Sequence, residues 1–241
     1  MKRVDSVISL IYSMSKAEKK AFSVQMLKDK EEKDYLVIYD IITKSKQLDS
    51  KNVKGEFHKR RPGGSFEVSI QYLYERLTDS LLTLRKKKDI YYDLLNNLCK
   101  ARMLYERSLF EECFEILSDT IEQATYYENN EVLTIALKLE LEYLLRLNFP
   151  NLAESELYHK HFMQNEALKK TRKIVEQSSL HNLLKYRLSH IGSIRTSKQK
   201  QDMNDLMVNE LSIAASSGIE GNFELMRNHR LFQANYLMGA G

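Results

Sequence analysis

The stretch "LYERSLFEECFEIL", Leu104 to Leu117, decides the fold class. On its N-terminal side Leu94, Leu98, Ala101, Leu104 and Tyr105 recur at three- and four-residue spacing. On its C-terminal side Phe110, Cys113, Leu117, Ile121 and Ala124 do the same. Each set lies on one face of an α-helix, and the polar residues between them leave room only for a short turn. The stretch therefore predicts a pair of antiparallel helices.

The same periodicity extends in both directions. Upstream, Val4, Val7, Ile8, Ile11 and Met14 form one stripe, Leu36, Tyr39 and Ile42 a second, and Phe66, Ile70, Leu73, Leu77, Leu81 and Leu84 a third. Ser15 and Glu18 have the spacing of a capping box, in which hydroxyl and carboxylate each satisfy an unpaired amide at a helix start. Downstream, Val132, Ile135, Ala136, Leu139, Tyr143, Leu144 and Leu147 predict another helix. Pro150 is expected in the first turn of its partner, which would carry Leu152, Ala153 and Leu157. A third pair is expected over 173–191 and 199–216, and a last helix over 222–238. Between Gly64 and Gly192 there is no glycine and a single proline, Pro150, whereas all-β folds need turn residues every few positions.

The expected organisation is all-α: an N-terminal helical module over 1–88, then a helical repeat region over 89–241. Ala101, Leu104, Phe110, Cys113 and Leu117 stand at the intervals of a tetratricopeptide repeat, although its tryptophan-leucine-glycine signature is missing and Ser108 stands where glycine is common. Aligning Leu141, Leu144 and Ala153 with Ala101, Leu104 and Cys113 needs a forty-residue offset instead of the usual period of about 34 residues. With "SKAEKKAF" (Ser15–Phe22), "YLVIYDII" (Tyr35–Ile42), "YLYERLTDSLLTLR" (Tyr72–Arg85) and "LYERSLFEECFEIL", the chain resembles a group of uncharacterised bacterial proteins with a tetratricopeptide-like helical array. That resemblance implies an N-terminal helical bundle followed by a degenerate α-solenoid. It carries no catalytic residues over.

Composition limits the function. With 43% hydrophobic and 29% charged residues the chain has the make-up of a folded globular protein. Its net charge of +4 is unevenly placed: residues 1–100 carry 21 Lys and Arg against 14 Asp and Glu, and the remainder carries a small acidic excess. No window approaches a transmembrane span, and Asp5 with several serines interrupts the N-terminal apolar residues. Two cysteines, Cys99 and Cys113, fall in the stripes of facing helices and read as buried thiols in a reducing compartment; a cytoplasmic location is expected.

Motifs of chemistry are sparse. "KRRPGGSF", Lys59 to Phe66, has the glycines of a phosphate loop but puts its cations before them and no Lys-Ser/Thr pair after them. It reads as a helix break, with cations at the C-terminal end of one helix, Pro62 stopping it and Gly63-Gly64 turning the chain. "LRKKKD", Leu84 to Asp89, repeats that choice. Lys59, Arg60, Arg61, Arg85, Lys86, Lys87 and Lys88 are accordingly the candidate anion-binding residues. "KKTRK", Lys169 to Lys173, flanked by Glu166 and Glu176, reads as a solvated helix face. Glu156 and His159 match half of a di-iron pattern with no second Glu-x-x-His in the chain, so no metal or cofactor is assigned. His181 falls on a core stripe and is expected to be hydrogen-bonded there. The adjacent tyrosines at 72/74, 91/92 and 126/127 are expected each to pack one ring and expose the other.

These features favour a non-catalytic interaction scaffold that binds a peptide or protein, with Arg102, Tyr105 and Lys138 as candidate partner-binding residues. The alternative is a nucleic-acid-binding regulator using the basic N-terminal module. Leu231, Phe232, Tyr236, Leu237 and Met238 follow Arg230 without a further charge. Three readings fit that apolar end: burial by preceding helices, a missing repeat beyond it, or self-association through the C-terminal helix.

Overall fold

The computed structural model describes residues 2–26, 33–45, 49–86, 88–191, 196–217 and 222–240. Among them there are eleven α-helices and no strand. They are α1 Lys2–Ser13, α2 Lys16–Met26, α3 Asp34–Lys44, α4 Ser50–Arg60, α5 Phe66–Lys86 and α6 Ile90–Glu106. After these come α7 Phe110–Tyr126, α8 Asn130–Arg146, α9 Glu154–Ile191, α10 Ser197–Ser217 and α11 Phe223–Ala240. The chain divides into two compact units, Met1–Asp93 and Leu94–Gly241.

The first unit is built around α3. Six of its eleven residues are buried, Tyr35, Val37, Ile38, Tyr39, Ile41 and Ile42, so this helix is apolar on most sides and has neighbours on most sides. Val4, Val7, Ile8, Ile11 and Met14 of α1 join that core as their spacing predicts, with Phe22 of α2, Val53 and Phe57 of α4, and Phe66, Ile70, Leu73 and Leu77 of α5. The capping box forms: the Ser15 amide donates to Glu18 Oε2 at 2.8 Å and the Glu18 amide to Ser15 Oγ at 3.2 Å. At "KRRPGGSF", α4 ends at Arg60 and α5 begins at Phe66. The second glycine there is sterically required, because a Cβ on Gly64 would lie 2.7 Å from Phe57 Cζ, whereas Gly63 faces open space.

In the second unit, α6, α7 and α8 are each 17 residues long and start twenty residues apart. All three end in one motif. Leu109 N–H donates to the Leu104 carbonyl and Ser108 N–H to that of Tyr105; Asn129 and Glu128 repeat this on Ala124 and Thr125, and Phe149 and Asn148 on Leu144 and Leu145. This is the paired 6→1 and 5→2 bonding of a Schellman cap. Its left-handed position is held by Ser108 (φ 61°), Glu128 (φ 53°) and Asn148 (φ 58°), where glycine is the residue of least strain. The forty-residue offset in the sequence is two of these twenty-residue steps.

Beyond α8 the pattern changes. In place of two helices, residues 154–191 form one helix of 38 residues, and Pro150 lies in the turn before it and not in its first turn. The physical reason is plain: no glycine or proline interrupts 151–191. The first half of α9 packs on α8, where Lys160 meets Glu140. Its second half packs on α10 and α11, burying Leu184 with Met203, Leu206 and Phe232.

Several finer expectations are corrected. The buried face of α8 is rotated, so Leu133, Leu137, Glu140 and Leu141 are buried while Ile135 is 45% exposed. Cys113 is buried but Cys99 is exposed, because Asn97 and Leu98 take the inward positions of α6. Of the tyrosine pairs only 72/74 divides as expected, with Tyr74 against the core; Tyr91, Tyr92, Tyr126 and Tyr127 are all exposed. The C-terminal apolar residues are split: Phe232 is fully buried and Tyr236 hydrogen-bonds Asn204 at 2.6 Å, while Leu231, Leu237 and Met238 are exposed.

Leu77→Ala should lower stability by about 2–5 kcal/mol through lost transfer energy and the cavity left behind. Ser108→Gly should do the opposite, relieving roughly 1–2 kcal/mol of left-handed strain and returning about 0.5–1 kcal/mol of chain entropy. Denaturant midpoints of the two variants check both signs.

Candidate functional site

Three of the candidate cations are matched by carboxylates of the same unit. Lys59 pairs with Glu56 at 2.6 Å, Arg60 with Asp40 at 3.1 Å and Arg61 with Asp34 at 3.7 Å. Lys59 holds the Glu56 carboxyl below its ordinary range, first through the hydrogen bond and then through its charge. Arg85 and Lys86 lie in the last turn of α5, where their charge complements the exposed carbonyls, and the Lys88 amide closes that end on Arg85 O at 2.9 Å. Arg85 and Lys88 also face Glu18, whose carboxyl is held low chiefly by its bonds to Ser15 and further by these two charges. Lys87 lies outside the described residues. A second, more apolar hollow of the first unit, about 350 Å³, is edged by Arg3, Lys51 and Lys54 over Val4, Phe66 and Ile70, and Lys54 is itself paired with Glu67.

The candidate partner-binding residues separate. Tyr105 is half-buried and stacks face to face on Tyr143, with ring centroids 3.8 Å apart and planes 7° from parallel. It is a packing residue between α6 and α8. Arg102 is exposed, pairs with Glu106 at 3.2 Å and lies close enough to Tyr143 to act on its hydroxyl. Burial raises the Tyr143 pKa, Cys113 adds to that, and Arg102 opposes it. Lys138 is exposed on α8.

None of these three lines a cleft of the second unit, about 490 Å³ and walled by α7, α8 and the start of α9. Ile121, Leu137, Leu152 and Met163 form its apolar part; Glu140, Lys160 and Glu156 are its charged residues, with Ser155 and His159 beside them. Glu140 is 6% exposed. Its Oε1 accepts from Lys160 Nζ at 2.7 Å, and its Oε2 is buried with no partner among the described residues. A buried acceptor left without a donor costs roughly 1–3 kcal/mol, more when it is charged. Sequence reasoning missed this residue although it carries a signal: Glu140 is a carboxylate at a core position of α8, between Leu137 and Leu144. Glu156 and His159 do lie together, on the cleft wall, and among the described residues no group of three or more His, Cys, Asp and Glu is placed to hold a metal ion.

A second buried polar cluster joins α9, α10 and α11. Glu210, fully buried, accepts from Gln177 Nε2 at 3.1 Å and from His229 Nδ1 at 2.7 Å. His181, as expected, is hydrogen-bonded: Asn235 Nδ2 approaches its Nε2 at 2.9 Å and also donates to Leu231 O. Lys169 and Arg172 pair with Glu166 and Glu176, so "KKTRK" carries the solvated ion pairs its neighbours predict. Among the described residues no helix is long and apolar enough to cross a membrane. Comparison of the chain with models of known protein families, with curated proteins and with solved structures gives no match.

The His181 pKa is pushed down from its ordinary value of 6.5, first by burial and then by the Lys185 charge. The folded chain thus binds this proton less readily than the unfolded chain. The stability that follows is present above about pH 6.5 and is lost as pH falls through that value toward the folded pKa. His181→Gln should therefore flatten the fall in melting temperature between pH 7 and pH 5, and an unchanged slope would remove His181 from the acid response.

Proposed function

We propose that this chain is a non-catalytic interaction scaffold, a degenerate tetratricopeptide-like array that binds a peptide or protein on its second unit. The observation that carries the reading is an exposed aromatic ledge beside a ready-made cleft. Tyr158 and Phe162, one turn apart on α9, are 69% and 60% exposed. They flank Ser155, His159 and Met163 of the cleft wall on the same helix. Tyrosine and phenylalanine give large, stiff contact areas at low entropic cost, and a neighbouring concavity is where an anchoring side chain of a partner would lodge. Twenty-residue helix-turn steps with short connections support the array reading, because stacked helical pairs expose an extended face whose side chains serve recognition and not folding.

The nucleic-acid alternative is weakened by the ion pairs of Lys59, Arg60 and Arg61, since a cation already neutralised by a carboxylate contributes less to phosphate attraction. Affinity capture with the full chain tests the two readings together, using photo-crosslinkers placed at Tyr158 and Phe162 and lysate with or without nuclease. A protein partner that survives nuclease and crosslinks at these positions is the expected result. Loss of every partner on nuclease treatment would overturn the scaffold reading in favour of nucleic acid.

A further inference from the structure

The cleft of the second unit has a chemical preference that its shape alone does not give. Of its charged residues, Glu140 and Glu156 outnumber Lys160, so the cleft favours a cation. Glu140 offers two acceptors, and among the described residues only one is used, by Lys160 Nζ on Oε1; Oε2 is buried with no partner among them. An ammonium is a point charge, and the one already present leaves the carboxylate half satisfied. A planar guanidinium presents parallel N–H groups that match both carboxylate oxygens at once. Lys160 sits at the end of a flexible stem and its side chain is 25% exposed, so it can swing out as another donor takes its place. Leu137, Leu152 and Met163 supply an apolar wall for a three-carbon stem, and about 490 Å³ holds an arginine side chain with its flanking backbone.

We propose that this cleft receives an arginine side chain of a partner peptide, with Glu140 as the carboxylate that binds the guanidinium in a two-pronged contact and Lys160 as the residue displaced. The inference rests on the reading of this unit as a peptide-binding surface. Glu156 at the rim adds attraction for the incoming charge, and the exposed Tyr158 and Phe162 beside the cleft are positioned for residues that flank the arginine.

The test uses the full chain and three blocked tripeptides, acetyl-Gly-Arg-Gly-amide and its lysine and citrulline counterparts. Binding is followed by the methyl signal of Met163, assigned from its loss in Met163→Leu. The arginine peptide is expected to shift that signal saturably, and citrulline, which keeps the shape without the charge, to bind at least tenfold more weakly. Lysine should fall between them. Glu140→Gln should weaken the arginine peptide at least tenfold, and Ser155→Trp, a change at an exposed wall position, should abolish binding with the melting temperature unchanged. Should Glu140→Gln not fold, the citrulline comparison and Ser155→Trp decide the matter. No saturable shift, or equal binding of arginine and citrulline, overturns the arginine site. If a nuclease-resistant partner still crosslinks at Tyr158 and Phe162 in that case, the scaffold reading stands and only the arginine assignment falls.

Discussion

The second unit depends on how its short links close one helix and start the next: three residues join α6 to α7 and three join α7 to α8. The links 107–109 and 127–129 each contain one residue with positive φ, the left-handed position that closes a Schellman cap. Ser108, Glu128 and Asn148 accept that conformation, and the paired bonds of the Schellman cap offset its cost by satisfying carbonyls that the helix ends would leave bare. α7 and α8 pack against each other, and Ala101, Cys113, Ala124 and Ala136 are fully buried small side chains of α6, α7 and α8. Glu128 has a further effect: its carboxylate accepts the Phe223 amide at 2.8 Å, so the α7–α8 turn also caps the start of α11, whose own cap is Asn222 on Leu225. One strained residue thus ties two distant segments together.

The long helix α9 then serves two different neighbourhoods. Along its first half it meets α8 through a salt bridge at the edge of an open cleft. Along its second half it meets α10 and α11 around a closed apolar core, Leu184 with Met203, Leu206 and Phe232, where α11 comes so close at Gly239 that a Cβ would strike Leu188. Buried polar contacts occur in both halves, Glu140 with Lys160 and Glu210 with Gln177 and His229, and removing one member of such a contact strands a buried polar group at a cost.

How far the fold could be read from residues varied with how one-sided each helix is. Where polar residues separate the apolar ones, as in Val4, Val7, Ile8, Ile11 and Met14, periodicity alone identifies the core face, and the Ser15–Glu18 box identifies a helix start. "VLTIALKLELEYLL" in α8 is apolar on several faces, and the choice between Ile135 and Leu137 is made by α7 and α9, not by the segment itself. The long α9 was legible only as the absence of a breaker, since its mixed surface of charges and half-buried residues carries a weak stripe. The cleft was less legible still. Arg102, Tyr105 and Lys138 stand on α6 and α8 and none lines it, while Glu140, a glutamate embedded among leucines, does.

That glutamate and Glu210 share a defect, a buried carboxylate oxygen without a donor among the described residues, and they illustrate why the defect alone does not make a site. Glu210 is enclosed by three helices, with Gln177 and His229 both on its Oε1. Its energetic role is to hold α9, α10 and α11 in one arrangement. Glu140 stands on a wall that opens to solvent, and its one partner is a lysine whose stem is free to move. The same unmet acceptor is therefore a cost of packing in one place and a source of affinity in the other: exchanging Lys160 for a two-pronged donor gains a bond that folding did not make. Access and a displaceable partner, more than burial or charge, separate a recognition carboxylate from a structural one.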